Sequence, residues 1–279
     1  MAAVESTPPT DIRVITEPSV YLIGRQVVDA SELDRFLSDH GVSWQSDSEV
    51  AAEAITETAG RVCYMSFLRP RPGGNATYLH HIKEVGHGSV LEHGVWNLLF
   101  TGVSRSLTHE LVRHRAGMGY SQLSQRYVDE SVAEYVEPDI IAADPELHAL
   151  WLDAVNHAHA AYVKLAERLN AKLADPQAAA AAMVPPNADR TTRRKAARQA
   201  ARSVLPNATE TKIFVTANAR ALRHFLEQRG SAFAEPEIRK LACKLLDILQ
   251  KEAPNLFSDY QRVPLSDGTF EVTTPFKKV

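Results

Sequence analysis

The chain has 279 residues, 44% hydrophobic and 23% charged, the balance of a water-soluble globular protein long enough to bury a sizeable core. A net charge of −3 and a sequence pI near 6.4 weigh against a general nucleic-acid binder, so any anion-binding charge has to be concentrated locally. No apolar run reaches the roughly 20 residues of a membrane span, the first residues lack the basic and apolar regions of a signal peptide, and Cys63 and Cys243 make no disulfide framework, so a cytoplasmic protein without membrane contact is expected. Residues 1–11 read as a flexible tail and 12–279 as a single domain. Arg13 to Val28 alternates β-branched and aromatic residues and reads as strand, interrupted near Glu17-Pro18. Residues 48–67 read as helix, Arg69–Gly74 as loop, Tyr78–Val85 as a short helix, and Gly94–Val103 as a buried strand. A helix is expected from Ser104 to His114. The clearest helix is Pro145–Ala174, whose apolar residues recur every three or four positions from Leu147 to Leu173. Residues 175–190, with an alanine run and two prolines, read as a linker or insertion. A basic helix from Arg190 to Val204 follows, stopped by Pro206. Lys212–Thr216 reads as strand, Asn218–Arg229 as a helix ended by Gly230, and Pro236–Glu252 as the last helix. Mixed helices and strands imply an α+β fold.

The densest chemistry lies between Arg113 and Tyr127, where three arginines, a histidine, two serines and two glutamines share fifteen residues. Guanidinium forks bind phosphate bidentately and keep their charge, and hydroxyls and amides can bond sugar or base edges. Dense arginine is also the composition of a solvated face. The apolar lead-in (Leu107, Leu111, Val112) and the breaking glycines Gly117 and Gly119 place these charges where a helix ends. His109-Glu110-Leu111-Val112-Arg113-His114 approaches a zinc-protease motif, but its histidines are five apart rather than four and diverge around a helix. Gly86-His87-Gly88 and Gly117-Met118-Gly119 each lack the third glycine of a dinucleotide fingerprint.

Arg113-His114-Arg115 followed by Ser124-Gln125-Arg126 resembles the signature of the flavin-dependent thymidylate synthases, in which Arg-His-Arg and Ser-x-Arg stand seven residues apart. Here the gap is eight, a difference that Gly117 and Gly119 can absorb. Gly86-His87-Gly88-Ser89-Val90-Leu91-Glu92-His93 is similar to a second block of that family. Ala201-Arg202-Ser203-Val204-Leu205-Pro206 and Asn218–Arg229 resemble two more. Four residues beyond Arg229, where the family commonly has histidine, stands Phe233. The resemblance runs from about Ala59 to Ala253.

The resemblance implies conversion of dUMP to dTMP, with methylenetetrahydrofolate as carbon donor, NADPH as reductant and FAD as cofactor. It implies a central, mostly antiparallel sheet flanked by long helices, and a homotetramer with its sites at subunit interfaces. His93, Val95, Arg113, His114, Arg115, Gln122, Asn218, Arg220 and His224 would serve FAD. Glu110, Arg113, Gln122, Leu123, Ser124, Gln125, Arg126, Arg202 and Arg229 would serve dUMP, with Arg229 activating the pyrimidine. No metal is implied. On one regular helix Asn218 and Arg229 would point the same way, whereas Arg113 and Arg115 would diverge by about 200°. Either the helix unwinds at Arg113 or one arginine serves a neighbouring subunit. Two other classes stay open on the residues alone: a nucleotide- or RNA-binding module using 193–202, and a metal-dependent hydrolase using His87, His93, His109 and His114.

Overall fold

A computed structural model describes residues 12–69 and 72–277; the tail expected over 1–11 and the centre of the Arg69–Gly74 loop lie outside them. The first half of the chain forms strands β1 (Arg13–Ile15) and β2 (Ser19–Arg25), helices α1 (Ala30–Asp39), α2 (Ala51–Val62) and α3 (Gly74–Glu84), strand β3 (Val95–Ser104), helix α4 (Arg105–Leu111), and strands β4 (Met118–Gln122) and β5 (Glu134–Val136). Helices α5 (Asp139–Ala142), α6 (Pro145–Lys172), α7 (Pro176–Ala181) and α8 (Arg190–Ala201) follow, then strand β6 (Glu210–Asn218). The chain closes with α9 (Ala219–Arg229), α10 (Pro236–Glu252), α11 (Pro254–Phe257) and the antiparallel pair β7 (Gln261–Pro264) and β8 (Phe270–Thr273). Among the described residues no helix is long and apolar enough to cross a membrane.

Contacts divide the chain into two units. One holds residues 12–17, Gly102–Thr108 and Gln122–Lys212; the other holds Pro18–Thr101, His109–Ser121 and 213–277.

The second unit is built on the sheet of order β2-β3-β6-β4. β2 and β3 run antiparallel, with a register shift between Leu22 and Gly24. A Cβ at Gly24 would stand 2.6 Å from Asn97 Oδ1, so any side chain there has to displace that amide. Trp96, Leu98 and Phe100 alternate into the core as a half-buried strand demands. They share it with Ile213, Val215 and Ala217 of β6, with Leu222, Phe225 and Leu226 of α9, and with the Ile238–Leu249 face of α10. Helix α3 begins four residues before the expected start, because the Asp47 carboxylate accepts the Asn75 amide at 2.8 Å and supplies a cap from outside the helix. A buried ion cluster ties α9 to the C-terminal segment. Asp259 accepts from Arg223 through both oxygens, at 2.8 and 2.9 Å, and from Lys83 at 2.8 Å.

The first unit contains the parallel pair β1/β5 and the long helix α6. Asp144 caps α6 by accepting from the amides of Glu146 and Leu147, with Pro145 in the first turn. Of the apolar stripe predicted for α6, Val155 and Tyr162 are buried but Leu147, Leu150 and Leu165 are exposed. Within the segment expected as a linker or insertion, the alanine run forms α7, and its Ala179 is buried with Leu173, Val184 and Ala197.

Candidate active site

Helix α4 stops at Leu111, three residues short of the expected end, and its last amide bonds tighten. Arg113 N donates to Glu110 O at 3.3 Å and His114 N to Leu111 O at 3.1 Å, the i to i−3 spacing of a helix unwinding. The Tyr120 hydroxyl, 2.6 Å from the carbonyl oxygen of His114 and 3.0 Å from that of Leu111, pins the turn, and burial pushes its pKa up to about 12. Gly117 takes φ +70, and a Cβ there would stand 2.6 Å from Asn218 Nδ2. Its carbonyl accepts the Asn218 amide at 3.1 Å, which seats the turn against the start of α9. Within the signature, Met118–Gln122 pairs into the sheet as β4.

The unwound turn lets Arg113, His114 and Arg115 line one cleft, of about 550 Å³, together with His224, Gln228 and Arg229 of α9. The helix has thus ended before Arg113. At the end of α9 the Arg229 guanidinium donates through Nε to His114 Nε2 at 3.0 Å and through Nη1 to Glu110 Oε2 at 2.5 Å. The His114 ring lies 5.5 Å from that of His224 and 5.5 Å from that of Phe225. Burial, then the Arg229 charge, then His224 lower the His114 pKa to about 4. His114 is thus neutral at physiological pH, with Nε2 bare to accept from Arg229 and the proton on Nδ1.

NMR of the native protein will show His114 neutral until the pH approaches about 4; a midpoint near the ordinary 6.5 would contradict the Arg229 contact. Folding depresses this pKa, so the unfolded chain takes up the proton first. The contribution of the neutral imidazole to stability is fully present above about 6.5 and is lost as pH falls toward 4.

The other residues proposed for the flavin in this unit stand apart from the cleft lining. Asn218, expected as the first residue of the helix that ends in Arg229, is its N-cap in extended conformation, its side chain accepting from Ala221 N. Arg220 pairs with Glu92 at 2.6 Å. His93 ends the short turn Gly88–His93, and Gly94 O accepts the Ala219 amide at 2.7 Å. The Val95 amide donates to Gln26 Oε1 at 2.7 Å. Phe233 is fully exposed.

In the first unit, Gln122 Nε2 donates to Thr108 Oγ1 at 3.1 Å, the Leu123 amide bonds Lys212 O at 2.8 Å, and Ser124 O accepts from the amides of Tyr127 and Val128. Gln125 is buried, and its Nε2 and the Nε of Arg126 have no hydrogen-bond partner. Arg202 opens the turn Arg202–Val204 directly after α8. Much of the basic run is engaged within this unit. Lys195 donates to the Tyr127 hydroxyl at 2.6 Å, and Arg198 to Tyr127 O at 2.8 Å and to Asp129. Sequence reasoning missed Arg105, whose buried Nη1 is also unpartnered and whose pKa is lowered by burial and then by Arg202, against Glu130. The Arg105 Nη1, buried and unpartnered with the Arg202 charge acting on it, is a donor that an oxyanion could take up. In sequence, Arg105 reads as one polar residue on a short helix.

Residues 47–255 match the family model described as thymidylate synthase complementing protein. A flavin-dependent thymidylate synthase of Mycolicibacterium gilvum (strain PYR-GCK) is 50% identical over 242 residues, covering 86% of this chain and 92% of that protein. That of Corynebacterium diphtheriae is 46% identical over 244 residues, with the same coverage of 86% and 92%. Among solved structures, the UMP/dUMP methylase PolB of Streptomyces cacaoi bound with 5-Br dUMP aligns with a TM-score of 0.57 at 18% identity, over 88% of this chain and 96% of that one. At that identity the likeness is one of fold.

Proposed function

The chain belongs to the family of flavin-dependent thymidylate synthases, and from that premise we propose that it converts dUMP to dTMP, taking the carbon from methylenetetrahydrofolate and reducing equivalents from NADPH. The observation that carries the reading to particular atoms is Arg229, held by Glu110 and His114 in a cleft that the Arg-His-Arg turn lines. The cleft residues fit a flavin. Arg113 and Arg115 are exposed and suit a pyrophosphate, while the imidazoles of His114 and His224 and the Gln228 amide suit a planar ring with polar edges. FAD, when bound, supplies the hydride relay that no side chain can supply.

The protein's own task is to bind and orient. Arg229 stabilises negative charge as it develops on the uracil ring. Glu110 and neutral His114 hold its planar fork in one orientation, and Glu110 also meets substrate. Arg113 serves both ligands. Gln122, Leu123, Ser124, Gln125, Arg126 and Arg202 receive the sugar and phosphate, and Arg105 joins them through its unpartnered Nη1. His93, Val95, Asn218 and Arg220 assist the flavin, Val95 through backbone only. Residues 12–279 act as a single domain, since neither unit is a continuous segment of chain. The protein works as a homotetramer with its sites between copies; the exposed Ile140, Leu147, Leu150 and Phe233 offer apolar surface for self-association. A reducing cytoplasm suits the free Cys63 and Cys243.

The test is direct. The purified protein should take up FAD, turn yellow, and oxidise NADPH faster when dUMP is present. A colourless protein that neither binds added FAD nor oxidises NADPH would sink the reading.

A further inference from the structure

Glu130 lies outside the set of residues assigned to either ligand. It is 5% exposed, held in the turn Glu130–Val132, four residues past Arg126, and its Oε1 has no hydrogen-bond partner. Arg105 in the same unit leaves Nη1 equally unpartnered. A buried carboxyl oxygen without a partner is costly, and a native protein keeps one where something else makes use of it.

The charged and titratable groups around Glu130 are otherwise engaged. Glu210 accepts the Gly102 amide at 2.8 Å and pairs with Lys212 at 3.0 Å. Asp129 pairs with Arg198 and accepts the Ser131 amide. The Tyr162 hydroxyl lies 3.4 Å from the Glu130 amide, and Tyr135 bonds His159 at 2.9 Å. Burial raises both tyrosines and lowers His159, so all three move away from neutrality. Glu130 moves toward it: burial first, with Glu210 and Asp129 adding and Arg105 and Lys212 opposing, raises its pKa to about 7.

We propose that Glu130 is the proton acceptor of the phosphate subsite, so that binding of the dUMP phosphate through Arg105 and Arg202 draws one proton from solvent onto the Glu130 carboxylate. The inference rests on the dUMP reading above. Ionised Glu130 is supported by the charges of Arg105 and Lys212. A phosphate dianion that takes Arg105, which Arg202 neighbours, weakens that support and adds a like charge, and both effects favour the neutral acid. No bond in dUMP changes; the proton comes from bulk water and stays on Glu130 until the nucleotide leaves. Glu130 is a positioning residue here, acting through the arginines.

Calorimetric titration of dUMP into the FAD-loaded protein, in buffers of different ionisation enthalpy at about pH 7.5, measures the uptake; nucleotide phosphate, with a second pKa of about 6, is already a dianion there. Uptake of roughly half a proton or more is expected, with affinity falling about tenfold between about pH 7 and 8.5. Glu130→Gln, which keeps the shape of the neutral acid, should bind dUMP without that uptake and with flat affinity over the same range. Absence of uptake in the native protein overturns the inference whether or not the variant folds. Equal uptake in native and variant overturns it too, since the proton then belongs to another group, such as Glu235, which burial and its acidic neighbours also raise. A native protein that binds FAD but no dUMP contradicts the functional reading itself, a separate outcome.

Discussion

Arg229→Ala should retain FAD and its assembly but form dTMP at least about 100-fold more slowly, the scale of losing one donor to developing charge. The rival role for Arg229 is modest. It is the last residue of α9, where a cation gains roughly 0.3–1 kcal/mol from the helix dipole, and losing that would leave turnover near normal. Its contacts favour the larger effect: a guanidinium bonded to Glu110 and to the bare nitrogen of His114 is oriented, and it lies at the cleft. Arg229→Lys should rescue poorly, because a point charge cannot reproduce the planar fork. The same variants carry an internal control. Removing the Arg229 charge takes away one of the causes that lower His114, so in Arg229→Ala the His114 pKa should rise. Near-normal dTMP formation with that rise present would reduce Arg229 to a helix-end cation.

Asp259→Ala should be among the most destabilising single changes, costing about 3–5 kcal/mol by the measure of a broken buried ion pair. Arg223 is 1% and Lys83 3% exposed, and both would be left as buried cations without their carboxylate. Urea unfolding with the transition slope unchanged checks the size; a loss under about 1 kcal/mol would show that water or a shifted Lys83 takes over. Against burial, the hydrogen bonds and charges of Arg223 and Lys83 draw the Asp259 pKa down to about 2. With the folded value depressed below an unfolded value near 3.9, the contribution is complete above that value and is lost as pH falls toward 2. Arg223 lies on α9 with His224 and Arg229, so this cluster fixes the helix that carries the site.

Long periodic elements were legible before any coordinates. The helix predicted over Pro236–Glu252 forms with those bounds, and the break at Glu17-Pro18 separates β1 from β2. Elements set by contacts distant in sequence were not. β4 lies inside a segment of glycine, serine and glutamine, and it becomes a strand because β6 offers it an edge. Helix α1 carries a readable signal in Asp29, three residues before Glu32, whose amide it caps. At the site, the sequence pointed to Arg113, His114, Arg115, His224 and Arg229, which share the cleft. It could not reveal that His114 is the hydrogen-bond acceptor for Arg229, because that contact spans 115 residues. Arg105 and Glu130 escaped for a related reason: each is ordinary in its local pattern, and only burial without a partner distinguishes it.

The central claim is a reaction, and product identification tests it most directly. The FAD-loaded protein is incubated with dUMP, methylenetetrahydrofolate and NADPH, and the nucleotide is identified by mass spectrometry. The account predicts dTMP, with none formed when FAD, the folate or NADPH is omitted. Recovery of unaltered dUMP from the complete mixture, with flavin bound and NADPH present, would contradict it.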